Sequence, residues 1–81
     1  MNKTLWFLYV LQCKDKSLYT GISTNVKRRI KEHSNGKGSR ALRGKLPLKL
    51  VYQESCSSRS SALKREAEIK KFTHKKKLAL I

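Results

Sequence analysis

An unbroken apolar run, Leu5-Trp6-Phe7-Leu8-Tyr9-Val10-Leu11, opens this 81-residue chain and restricts its fold more than any other stretch. The run is short for a buried helix and has the aromatic and β-branched content of a strand. A strand with one face in water alternates apolar and polar residues. This one does not, so both faces are covered and the strand belongs in the middle of its sheet. The polar, turn-like Cys13-Lys14-Asp15-Lys16-Ser17 follows, and Leu18-Tyr19-Thr20-Gly21-Ile22 returns as the second strand of a hairpin. Residues 48–54 read as a third strand. The expected fold class is α/β in the broad sense (α+β): a small three-stranded antiparallel sheet flanked by helices, with residues 5–12 central, in one domain spanning 1–81.

Two helices are expected. Ser23, Thr24 and Asn25 offer side-chain oxygens for an N-cap, and Asn35-Gly36 is a good stop. Between them Val26 and Ile30 lie one turn apart. At about 100° per residue, Arg29 and His33 share their face, while Lys27, Arg28, Lys31 and Glu32 point away. After a polar loop, Ser55-Cys56-Ser57-Ser58, residues 59–72 read as the second helix, with Ala62, Leu63, Ile69 and Phe72 apolar and Glu66 projecting among them. Residues 41–45 read as one helical turn closed by Pro47. Residues 74–77 read as solvated and basic, and Leu78-Ala79-Leu80-Ile81 as packing back on the domain. Gly21 inside a strand is costly unless something needs its space.

Lys and Arg number 20 against 5 Asp and Glu, a net charge of +15. Such an excess repels itself, and its natural partner is a polyanion, nucleic acid first. A membrane partner is not expected: no apolar stretch is long enough to span a bilayer, and the cations are scattered rather than confined to one helix. The run 5–11 lacks the cleavage site of a secretory signal, so a cytoplasmic protein with reduced Cys13 and Cys56 is expected. Cys13, His33, Cys56 and His74 have no zinc-site spacing. Gly36-Lys37-Gly38-Ser39-Arg40 lacks the glycine spacing and the Lys-Ser/Thr of a nucleotide-binding loop, and reads as a basic turn against a nucleic-acid backbone.

The chemistry-bearing residues are those that sit where apolar ones belong: Arg29 and His33 on the first helix, Glu66 on the second. Burying an unpaired charge costs several kcal/mol, so each needs a partner. An Arg29–Glu66 bridge or a Glu66–Lys70 pair one turn apart would be purely structural answers. The functional answer is a carboxylate holding a divalent cation and a guanidinium gripping a phosphate. A lone strand Tyr is ordinarily core, but Tyr9 and Tyr19 on adjacent strands beside this helix suggest a shared cluster.

These residues together resemble the GIY-YIG nuclease domain, and especially its small stand-alone bacterial members. Phe7-Leu8-Tyr9 stands at the first motif and Tyr19-Thr20-Gly21 at the second. Arg29, His33 and Glu66 match the arginine, the histidine or tyrosine, and the metal-binding glutamate that follow. Only the Tyr of the first motif is kept, and no Asn follows Glu66 where several members carry one. The resemblance implies DNA phosphodiester hydrolysis, in DNA repair or processing, with Mg²⁺ or Mn²⁺ held by Glu66. It implies catalytic roles for Tyr9, Tyr19, Arg29 and His33, with Tyr9 the proton acceptor and its phenol lowered by nearby cations. Lys27, Arg28, Lys37, Arg40, Arg43 and Lys70 are the expected DNA contacts. The alternative from another class is a non-catalytic basic module that keeps the fold and binds nucleic acid.

Overall fold

The computed structural model describes residues 4–36, 42 and 44–81. Its elements are β1 (Trp6–Gln12), β2 (Leu18–Ser23), α1 (Val26–Ser34), β3 (Lys49–Cys56), α2 (Arg59–Lys70) and α3 (His74–Leu78). The sheet order is β2-β1-β3 and both pairings are antiparallel, so the apolar run is the central strand. Leu8, Tyr9, Val10 and Leu11 are all but fully buried.

The period-two pleat divides that strand between two cores. Tyr9 and Leu11, with Cys13, pack beside Val26 of α1 and Leu42, with Phe7, Tyr19, Ile30 and Leu48 partly buried around them. Leu8 and Val10 pack on Ile69 of α2, with Leu18, Ile22, Tyr52, Phe72 and Leu80 around them. Fully burying a side chain of this kind is worth about 1.5–3 kcal/mol. A sheet with a helix on each face is thus the cheapest way to cover an all-apolar strand.

The hairpin turn closes through Cys13 N–H to Ser17 O (2.9 Å) and Lys16 N–H to Cys13 O (2.9 Å), with Lys16 left-handed at φ 71°. Asn25 caps α1 by accepting from Arg28 N–H at 3.0 Å, and Gly36 follows its end at φ 76°. Ser58 caps α2 and Thr73 caps α3 in the same manner.

Four local expectations are corrected. β3 runs on through Ser55 and Cys56, which read as loop. Their cross-strand partners Phe7 and Trp6 hold them in the ladder. α2 ends at Lys70, with Lys71 as its C-cap, so Phe72 reaches the core from beyond the helix. Leu63 is 41% exposed and does not belong to the packed stripe, which is Ala62 and Ile69. The basic stretch after residue 73 is the short helix α3, and Leu80 alone of the terminal leucines packs on the core. Of the expected turn at 41–45, residues 41 and 43 lie outside the described residues; Lys45 N–H to Leu42 O at 3.2 Å marks it, with Gly44 at φ 74°.

Candidate active site

Tyr9, Tyr19 and His33 meet on the α1 side of the sheet. Leu11 pairs with Tyr19 and Tyr9 with Gly21 across the hairpin, so the two tyrosines lie diagonally on one face. Their ring centroids are 6.5 Å apart, and His33 lies 5.5 Å from Tyr19 in an edge-on arrangement. Tyr9 Oη and His33 Nε2 are 3.1 Å apart and share a hydrogen bond. Both residues are buried, Tyr9 at 1% exposure and His33 at 3%.

Gly21 makes room for this cluster. A Cβ there would stand 2.6 Å from Tyr9 Oη, 2.7 Å from Tyr9 Cζ and 3.2 Å from Tyr19 Cε1. The space that the strand glycine supplies is filled by the catalytic candidate itself.

Burial raises the Tyr9 phenol to about 12; the charge interactions of Tyr19 and Glu66 act in the same direction, and Arg29 opposes them. This reverses the expectation that nearby cations lower the phenol: among the protein's own groups, removing a phenolate from water outweighs one guanidinium. Burial also holds the His33 imidazole below its ordinary value, helped by Arg29 and opposed by Glu32. At neutral pH the pair is a phenol and a neutral imidazole.

Arg29 is one turn before His33 on α1. Its side chain is 37% exposed and pairs with Glu32, Nη1 to Oε1 at 3.6 Å. Glu32, read as facing away, is therefore the partner of Arg29 and close enough for its charge to act on His33. The Arg29–Glu66 bridge is not among the ion pairs of the described residues. Glu66 pairs instead with Lys70, Oε2 to Nζ at 3.5 Å, the lysine 56% exposed and the glutamate 19%. An i,i+4 pair with so open a lysine is worth about 0.3–0.5 kcal/mol. That is little return for holding a carboxylate mostly out of water.

Lys27 and Arg28 are exposed on the outer side of α1. Lys37, Arg40 and Arg43 lie outside the described residues. Sequence reasoning missed Arg65, next to Glu66. It donates to Glu54 Oε1 of β3 at 2.6 Å and to Glu68 at 2.7 Å, while Tyr52 Oη–H donates to Glu54 Oε2 at 2.9 Å. This network ties α2 to the sheet and so fixes the helix that carries Glu66. Its spacing along two elements, with no local pattern, left no signal in the sequence.

The Glu66 carboxylate, close enough for its charge to act on the Tyr9 hydroxyl, offers the oxygen donor that Mg²⁺ takes when water fills its other positions. Among the described residues no group of three or more His, Cys, Asp or Glu side chains gathers into a metal cage. No described helix is long and apolar enough to cross a membrane.

A sheet of this order carrying paired tyrosines, a helical Arg and His, and a glutamate on a later helix is the arrangement of a nuclease family. A family model for the GIY-YIG catalytic domain matches residues 5–79, and the chain belongs to that family. Its relatives are more specific. It is 48% identical over 81 residues to UPF0213 protein DP2720 of Desulfotalea psychrophila, covering 99% of this chain and 74% of that one. It is 49% identical over 75 residues to UPF0213 protein SH2523 of Staphylococcus haemolyticus, covering 93% and 92%. The solution NMR structure of EF2693 from E. faecalis superposes with a TM-score of 0.65 at 40% identity, covering 94% of this chain and 81% of that one. The motif departures also find their place. Leu8, at the second position of the first motif, is fully buried on the α2 side and belongs to the core, away from Tyr9.

Proposed function

We propose that this protein is a divalent-metal-dependent endonuclease that hydrolyses DNA phosphodiester bonds. The observation that carries the reading is Glu66: a carboxylate mostly out of water, weakly paired, and close enough for its charge to act on the Tyr9 hydroxyl. Mg²⁺ or Mn²⁺ held by Glu66 would stabilise charge developing on the phosphate.

The chain's own groups do the rest. Arg29, about a third exposed and within reach of Tyr9, grips a phosphate oxygen with its planar fork once it is drawn from Glu32. Tyr9 Oη takes the proton of the attacking water while its own proton passes to His33 Nε2, 3.1 Å away. A phenol held at about 12 is not ionised at neutral pH, so this exit for its proton is what lets it act as a base. The water oxygen bonds to phosphorus as the bond to the leaving oxygen breaks. Tyr19, edge-on to His33, keeps the imidazole aimed at Tyr9. Lys27 and Arg28 contact the DNA backbone nearby.

The test is cleavage of labelled single-stranded, branched and duplex DNA by the parent and by Glu66→Gln, with and without Mg²⁺ or Mn²⁺. The parent should cut only with metal. Glu66→Gln should bind DNA, fail to cut, and melt without metal no lower than the parent, since the Lys70 pair contributes little. A destabilised variant that still cuts would refute the assignment. A parent that binds every DNA and cuts none would make the protein a binding module.

A further inference from the structure

A run of cations leads away from Glu66 along the end of α2 and onto α3. Lys70 and Lys71 end α2, and Lys75 and Lys76 lie on α3; all four are exposed. Glu66 takes up Lys70, and Glu68 is engaged by Arg65. Lys71, Lys75 and Lys76 make no ion pair among the described residues, and α3 has no acidic residue in its first turn. Like charges in sequence cost self-repulsion, and the one exposed ring contact of Lys76 and the weak Lys70 pair offset little of it, so fold stability does not account for them.

The surface is also held in place. Thr73 caps α3 by accepting from Lys76 N–H at 3.2 Å. Phe72 before the helix and Leu80 after it both pack on the Leu8–Val10–Ile69 core. Lys76 Nζ lies 4.3 Å from the centroid of the Phe72 ring, which limits where that ammonium can go. The cations of α1, Lys27 and Arg28, are on the other side of the sheet, because α1 packs with the odd positions of β1 and α2 with the even ones.

We propose that Lys70, Lys71, Lys75 and Lys76 form a second phosphate track, which binds nucleic-acid backbone leaving the candidate site past Glu66 on the α2 side of the sheet. The proposal rests on nucleic acid as the partner in the reading above. Continuity favours that partner over an anionic membrane: the first lysine of the track is 3.5 Å from the Glu66 carboxylate. A substrate strand held at Glu66 thus meets the track next.

The experiment measures DNA affinity of the whole chain by fluorescence anisotropy without divalent metal, over a range of salt concentrations. One variant combines Lys71→Ala, Lys75→Ala and Lys76→Ala; alanine favours helix, so α3 is kept. A control combines Lys14→Gln, Lys16→Gln and Lys49→Gln, which removes the same charge elsewhere. Each phosphate contact contributes about 0.9 to the slope of log affinity against log salt on duplex, so the track variant should be shallower by about 2–3 units and the control by less than about 1. Equal changes in both variants would overturn the track, since net charge alone would explain them. So would an unchanged DNA slope in a track variant that no longer sediments with phosphatidylserine vesicles, which would assign the surface to a membrane. Because no cutting is measured, an inactive parent sinks the nuclease reading and leaves the track standing. An active parent with an unchanged slope sinks the track alone.

Discussion

Tyr9 stands across the hairpin from Gly21, and its hydroxyl occupies space in which a Cβ on Gly21 would lie 2.6 Å away. The two positions are one design. The strand gives up a side chain so that a phenol can lie over it and reach His33. Gly21→Ala should therefore displace a ring that buried neighbours confine on every side, at a cost of about 1–3 kcal/mol. Urea unfolding should show that loss together with loss of cleavage. A variant as stable and as active as the parent would mean that Tyr9 is not held where it is seen.

Arg29→Lys should keep the fold and lose the chemistry. A lysine still reaches Glu32, so melting should change by no more than about 0.5 kcal/mol. It lacks the planar fork, and losing a donor aimed at transition-state charge costs about 10²–10³ in rate. Single-turnover cleavage beside a DNA-binding curve separates the two. Cleavage at the parent's rate would remove Arg29 from the reacting phosphate.

The Tyr9–His33 pair should give stability a plateau with two edges. Tyr9 has its pKa raised, from 10.0 to about 12, so its contribution is complete below about pH 10 and is lost as pH climbs towards 12. That contribution is roughly 2–3 kcal/mol. His33 is shifted down, so its contribution is complete above the ordinary imidazole value of about 6.5 and is lost as pH falls through its lowered value. Thermal melts across pH should show both limbs. Tyr9→Phe should flatten the alkaline one and His33→Gln the acid one; an acid limb that survives in His33→Gln must come from another group.

Thr20 is 3% exposed and its hydroxyl has no hydrogen-bond partner among the described residues. Val has nearly the same shape and suits a strand. Thr20→Val should stabilise the protein by about 1 kcal/mol by removing an orphaned polar group. Cleavage should be unchanged, because Thr20 alternates with Tyr19 and Gly21 and faces the other core. A drop in melting temperature would show that the hydroxyl has a partner.

The fold was legible where a residue's role follows from its immediate neighbours. The apolar run could only be a central strand, and Asn25 and Gly36 bracket α1 as their chemistry requires. Of the candidate site, the shared cluster of Tyr9 and Tyr19 beside the helix of His33 was legible through order and spacing, and these three side chains converge. What failed was set by distant partners. Ser55 and Cys56 look like loop until β1 pairs with them. Leu63 has helical spacing, yet the sheet does not reach it. The Tyr9 phenol was expected to follow the positive charge nearby, but how far burial outweighs a guanidinium depends on packing that no local sequence encodes.

The division of β1 between two cores has a genetic consequence. Neighbouring codons of one strand answer to different demands, the odd ones to the Tyr9–His33 cluster and the even ones to the platform beneath α2. Changes at Leu8 or Val10 should appear as lost protein, and changes at Tyr9 as intact protein without cleavage. A single-residue deletion upstream of Tyr9 that slides the strand by one would exchange the two sets, placing a phenol under Ile69 and an aliphatic chain against His33. Insertions and deletions here should therefore be far less tolerated than substitutions, and the family's variation along this strand should be read with a period of two.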